Sequence, residues 1–148
     1  MKVSWIQKGN NMHPSLESLA SGFPYLIFYL MLVSAIYVVG LTVYVKLTPH
    51  KEIALIQENN IAAAISFSGL VVGLALPLAA CLVMKIGLID VLVWGTVSTL
   101  LQLFLFRVSD IIFAGMPQRI IDGEVAAATV LAAFKLAGSI ILAFAIAG

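Results

Sequence analysis

The fold turns on the stretch Thr48–Leu78, TPHKEIALIQENNIAAAISFSGLVVGLALPL. Its first part is polar and broken by Pro49. From Ile61 to Met84 there is no charge at all, and at ~1.5 Å per residue that run is long enough to cross a ~30 Å hydrocarbon core. A chain with such a run is a membrane protein, and the totals agree. The 148 residues are 62% hydrophobic and 10% charged, with a mean hydropathy of +1.11, whereas soluble domains carry roughly 25% charged residues.

Towards the N-terminus, Tyr25–Val45 is a first uncharged span opened by Pro24, which suits the first turn of a helix. Tyr25 and Tyr29 at one end and Tyr44 at the other predict an aromatic belt, because a phenol prefers the headgroup zone. Residues 1–24 read as a polar head, with Trp5 at the interface and a short interfacial helix starting near Ser15. This head has no ordinary signal-peptide pattern, so the first span is expected to stay in the mature protein as its own insertion signal. Thr48-Pro49 ends the first span. His50–Glu58, with Ile53 and Ile56 three apart among charges, predicts a short interfacial helix before the second span, Ile61–Met84.

Towards the C-terminus, Lys85–Asp90 is a tight turn, and Val91–Phe113 forms a third span. Gly115, Pro117, Gln118 and Arg119 mark a loop, after which Asp122 and Glu124 precede the fourth span, Val125–Ala147. A shift of 64 residues lays Glu58–Ala64 on Asp122–Ala128 and Ile56 on Ile120. The predicted fold is therefore an all-α integral membrane protein with four transmembrane helices built as two parallel two-helix repeats, 25–84 and 85–148. Lys46, Lys51 and Arg119 on one side nearly balance Lys2, Lys8 and Lys85 on the other. The reading favours cytoplasmic loops.

Ser66, Gly69, Gly73 and Gly138 are candidate helix-packing residues. Gly69 and Gly73 form a GxxxG pair that serves either packing within the bundle or a contact between copies. Pro77 is expected to kink its helix. Intramembrane polar candidates are Ser68, Ser98, Gln102, Arg107, Asp110 and Lys135. Arg107 and Asp110, three apart, are expected to bridge on one helix face. Lys135 lies ten residues into span four, ~15 Å deep, on the face of Ala128, Ala132, Gly138 and Ser139. It is expected inside the bundle, either satisfied by Gln102 and serine hydroxyls or serving a function. His50, Glu52, Glu58, Asn59, Asn60, Arg119, Asp122 and Glu124 are candidates for a loop docking surface.

Enzyme chemistry is not expected. The two histidines, His13 and His50, lie outside the spans, no His-Glu-x-x-His or phosphate loop occurs, and no Cys or His cluster suits a metal or haem. No cofactor is implied. The lone Cys81 lies in an apolar run and reads as a packing residue. A net charge of +1, with scattered Lys and Arg, leaves no nucleic-acid footprint.

Thr48-Pro49-His50, Glu52, Leu55-Ile56, Asn59-Asn60, Ala62-Ala63, Phe67-Ser68-Gly69, Gly73 and Pro77-Leu78, followed by Asp90, Trp94-Gly95 and Leu101-Gln102-Leu103, resemble the YjfL-like family of small bacterial inner-membrane proteins, a domain family of unknown function. The resemblance covers roughly residues 25 to 140. It implies a four-span protein of the bacterial inner membrane with a duplicated two-span unit, brings no activity, and suggests a link to envelope or membrane stress. Lys135 and the tail Leu142–Ala145 depart from the family pattern. Two functional expectations follow. One is a non-enzymatic, homo-oligomeric membrane scaffold that meets a soluble stress-response partner at its hairpin loops. The other is a small channel or transporter subunit with a polar path around Gln102 and Lys135.

Overall fold

A computed structural model describes residues 14–48, 52–84 and 86–148. Trp5, His13, Pro49, His50, Lys51 and Lys85 lie outside the described residues, as does most of the N-terminal head. The described residues form helices and no strand. The order is α1 (Pro14–Leu47), α2 (Glu52–Gln57), α3 (Ile61–Val83), α4 (Leu88–Ile112), α5 (Met116–Ile121) and α6 (Val125–Ala147). Helices α1, α3, α4 and α6 are long and apolar enough to cross a membrane. Helices α2 and α5 join them in pairs, so both sit on one face of the bundle, here called the cap face. The short α3–α4 turn lies on the other.

Two expectations change. The interfacial helix at Ser15 and the first span are one continuous helix, and Pro24 lies inside it. Proline removes a single backbone donor, and the Ser15–Phe23 segment has no other stop signal strong enough to turn the chain. At 34 residues α1 is ~51 Å long, so part of it extends beyond the hydrocarbon core. The stretch after Gly115 is also helical rather than loop. Gly115 takes φ 95°, which favours glycine, and Pro117 falls in the first turn of α5, where its missing N–H costs nothing.

Helix α3 is the centre of the bundle and packs most extensively against α6. Small residues permit that approach: a methyl built on Gly69 would lie 2.7 Å from Ala132 Cβ and 2.8 Å from Ala132 Cα. One on Gly73 would lie 2.6 Å from Ser139 Oγ. The GxxxG face is thus occupied by α6 of the same chain, which removes it as a contact between copies. Lipid tails are as apolar as leucine, so close van der Waals packing of this kind holds membrane helices together. Around it, Ala62, Ala63, Ile120, Ala127, Ala128 and Leu131 form one core near the cap face. Tyr44, Leu70, Leu74 and Phe106 form a second core deeper in the bundle.

The cap elements are built alike. Asn59 at the end of α2 has φ 63° and Gly123 after α5 has φ 87°, both in the left-handed region. Asn59 N–H donates to Ile56 O and Asn60 N–H to Leu55 O; Gly123 N–H donates to Ile120 O and Glu124 N–H to Arg119 O. Each is a Schellman-type helix end followed at once by a new helix. Asn60 then caps α3, its Oδ1 accepting from Ala63 N–H at 2.9 Å, while its Nδ2 donates to Ile120 O at 3.0 Å and Ile121 O at 3.1 Å. Asn60 therefore ties α5 to the start of α3, an internal role in place of the expected docking surface.

Candidate functional site

The site begins with Lys135 in the middle of α6. Its residue exposure is 2%. A lysine side chain leans towards the N-terminus of its helix, so from this position the ammonium is carried up towards the cap face. There Nζ lies 3.2 Å from Asp110 Oδ1, near the end of α4, and donates to Tyr44 Oη at 3.0 Å, near the end of α1. The ammonium also sits 5.3 Å from the Tyr44 ring centroid and 5.8 Å from that of Phe106, within reach of the negative ring faces. The two rings meet edge to face at 6.1 Å. An ammonium in low dielectric is expensive unless paired and hydrogen-bonded, and this cluster supplies both.

These partners differ from those expected. Asp110 turns to Lys135, not to Arg107, which is exposed and forms no ion pair among the described residues. Tyr44 is 5% exposed, so it leaves the expected aromatic belt and serves as the acceptor for the lysine. Gln102 does not touch the ammonium. It belongs to the same polar file one turn further along α6: Ser139 Oγ donates to Lys135 O at 2.7 Å, and Gln102 Nε2 donates to Ser139 Oγ at 2.6 Å. Because the serine proton is already directed to a carbonyl, Ser139 requires a donor, which fixes the amide orientation. Gln102 Oε1 is then left buried without a protein partner, as is Thr99 Oγ1.

On the cap side the file continues to Glu52, the first residue of α2. Ser66 Oγ donates to Glu52 Oε1 at 3.4 Å. Glu52 is half-buried, and burial pushes its carboxyl above the usual range; Lys135 pulls it back, Asp110 pushes it up further, and the Ser66 hydrogen bond lowers it. A crevice between α2 and α5 opens onto this region, lined by Tyr44, Thr48, Glu52 and Asp110 together with Pro117 and Ile121. A second crevice, between the ends of α1 and α4, is lined by Tyr44, Leu47, Thr48, Leu103, Arg107 and Asp110. Sequence reasoning placed Glu52 on a docking surface and overlooked Phe106. The spacing Gln102, Phe106, Asp110 on α4, four residues at each step, is the signal that joins the last two to the Lys135 side.

The remaining candidates are dispersed. Ser68 is exposed and donates back to Ala64 O at 2.7 Å, so it faces away from the polar file. Ser98 is buried, donates to Gly95 O at 3.0 Å, and lies 3.9 Å from the free thiol of Cys81. A methyl on Gly138 would meet nothing within 4 Å, which separates it from the packing stripe. On the cap surface Glu58 and Asn59 are exposed, Arg119 Nε donates to Glu124 Oε2 at 2.8 Å, and Gln118 Nε2 to Asp122 Oδ1 at 3.3 Å. The Arg119 bond holds the Glu124 carboxyl below its ordinary range. No group of three metal-ligating side chains occurs among the described residues.

The chain matches the family model described as Domain of Unknown Function (DUF350) over residues 18–146. It is 31% identical over 112 residues to the UPF0719 inner membrane protein YjfL of Escherichia coli strain K12, an alignment covering 76% of this chain and 85% of that protein. The protein of the same name from Escherichia coli O157:H7 matches with the same 31% identity and the same coverage. No solved structure matches.

Proposed function

The chain belongs to the DUF350 family of inner-membrane proteins, and on that premise we propose that it is a non-enzymatic membrane subunit that handles a small ion along its polar file. The observation that carries this reading is the buried Lys135, paired at 3.2 Å with Asp110 and bonded at 3.0 Å to Tyr44 at membrane depth. Ionisable side chains in such places are costly, and where they occur they mark ion or substrate paths by default. The file runs from the cap-face crevice through Glu52, Asp110 and Lys135 to Ser139 and Gln102.

Four spans with a single file enclose too few polar groups for a complete pore, so the path is completed between copies of the chain in a homo-oligomer. Exposed Glu58, Asn59, Asp122 and Glu124 offer the surface on which a soluble partner of an envelope-stress system would dock. The duplicated two-helix frame is part of the same proposal. The steps from Glu52 to Met116 and from Ile61 to Val125 are both 64 residues, and the matching cap hydrogen bonds support it.

The test is purified protein in liposomes under proton, sodium and potassium gradients. Flux is expected with the wild type and reduced in Lys135→Met. An absence of flux under every gradient, and under membrane tension, refutes the reading.

A further inference from the structure

Resting on the ion-handling reading above, we propose that the ion exchanged at this site is a proton and that Glu52 is the carboxyl that takes it up from the cap-face crevice. Three charged side chains meet there. Glu52 comes from α2, Asp110 from α4 and Lys135 from α6. Tyr44 and Thr48 reach the same crevice from α1, Ser66 reaches Glu52 from α3, and α5 contributes the apolar Pro117, Ile120 and Ile121. Asp110 and Lys135 lie 3.2 Å apart and neutralise one another. Among the described residues that meet there, the second carboxylate is in excess of the one ammonium.

An excess negative charge at a half-buried position is relieved by a monovalent cation or a proton. A metal cation is disfavoured, because the ammonium already occupies the space beside Asp110 and Tyr44, and a second positive charge within a few ångströms would be repelled in low dielectric. A proton needs no coordination shell. It reaches Glu52 through the crevice, where hydronium transfers it to the carboxylate and leaves water, with no other bond made or broken. The Ser66 hydroxyl, which donates to Glu52 Oε1 at 3.4 Å, can turn to accept from the protonated acid. The cluster is then neutral with the proton bound and carries one negative charge after release. The upward displacement of the Glu52 carboxyl through burial agrees with this assignment.

The experiment follows the carboxyl carbons of selectively labelled protein in lipid nanodiscs by NMR across the pH range. One glutamate is expected to titrate above the ordinary range of a solvated side chain. That signal is expected to vanish in Glu52→Gln, to move to lower pH in Asp110→Asn and to move to higher pH in Lys135→Met. A titration of all glutamates in the ordinary range overturns the proposal. So does an elevated signal that persists in Glu52→Gln, or a fall of the midpoint when sodium replaces choline at constant ionic strength. If the elevated titration is present but liposomes show no flux, the proton site stands and the transport reading falls.

Discussion

Removing one partner of the Lys135–Asp110 pair should destabilise the bundle far more than removing both. The two side chains are 1% and 14% exposed, so neither can be rescued fully by water. Breaking a buried ion pair from one side costs about 3–5 kcal/mol, because the survivor is an uncompensated charge. The order of the two single variants follows from the surroundings. In Lys135→Met the stranded Asp110 borders both crevices and is 14% exposed, so its cost belongs near the lower end. In Asp110→Asn the ammonium, 1% exposed, loses its paired carboxylate and keeps the Tyr44 hydroxyl, two ring faces and the longer-range attraction of Glu52, and its cost belongs above that of the other single variant. The double variant Lys135→Met/Asp110→Asn removes both charges of the pair and should lie about 1–2 kcal/mol from wild type, within the range of volume-conserving changes. The assay is reversible unfolding in bicelles at neutral pH, read as a double-mutant cycle. Neutral hydrogen bonds between membrane helices couple by only ~0.6 kcal/mol on average. A coupling of that size would mean that Lys135 sits there as an amine, and would refute the ionic account of the site.

Two further predictions test the frame. Gly69→Val should cost about 1–3 kcal/mol or more, since the added carbon meets the backbone of Ala132 at 2.8 Å, whereas Gly138→Ala should be neutral or slightly stabilising because that position is open; thermal melting of the detergent-solubilised protein distinguishes them, and equal effects would sink the packing assignment. Asn60→Ala should lower stability by about 1–2 kcal/mol through loss of the α3 cap. Asn60→Asp, which keeps the Ala63 acceptor but not the donors to Ile120 and Ile121, should fall between the two, and a full rescue by Asp would show that the link to α5 carries no weight.

The first two spans were legible because Tyr25–Val45 and Ile61–Met84 carry no charge over more than twenty residues, which leaves few alternatives, and α6 runs from Val125 to Ala147 as read with Lys135 its one charge. Helix α1 was misjudged at Pro24, because a proline suits the first turn of a helix and was read as its start, whereas the Ser15–Phe23 segment before it carries no signal strong enough to end a helix there. Tyr44 could not be placed from local pattern at all. A tyrosine at the end of a span fits the headgroup zone as well as a buried bond, and its partner lies 91 residues away. Asp110 was read with Arg107 because three residues separate them, but Gln102 and Phe106 share its helix face too, and the buried side of α4 prevailed. An ion pair exposed to headgroups gains little, whereas Asp110 beside a buried ammonium removes a large cost.

The frame and the chemistry separate when positions 64 residues apart are compared. Asn59 and Gly123, both at positive φ, are such a pair, and the helices that follow them have matching bounds. The charged cluster has no counterpart at that spacing: Lys135 corresponds to Val71, Glu52 to Met116 and Asp110 to Lys46. Val71 is held in the bundle by its backbone, its carbonyl accepting from Tyr37 Oη at 3.0 Å, without an ionisable side chain. Helix α3 therefore forms and packs at that position with an ordinary aliphatic residue, so a lysine is not something the proposed two-helix frame would require. If the duplicated frame proposed above holds, a residue whose burial is costly, and which the matching position does without, needs a reason outside packing. The proposed ion-handling role would supply one, because the crevice that starts at Glu52 reaches Asp110 and Tyr44, the partners of the only buried ammonium among the described residues, from the face where both cap helices lie.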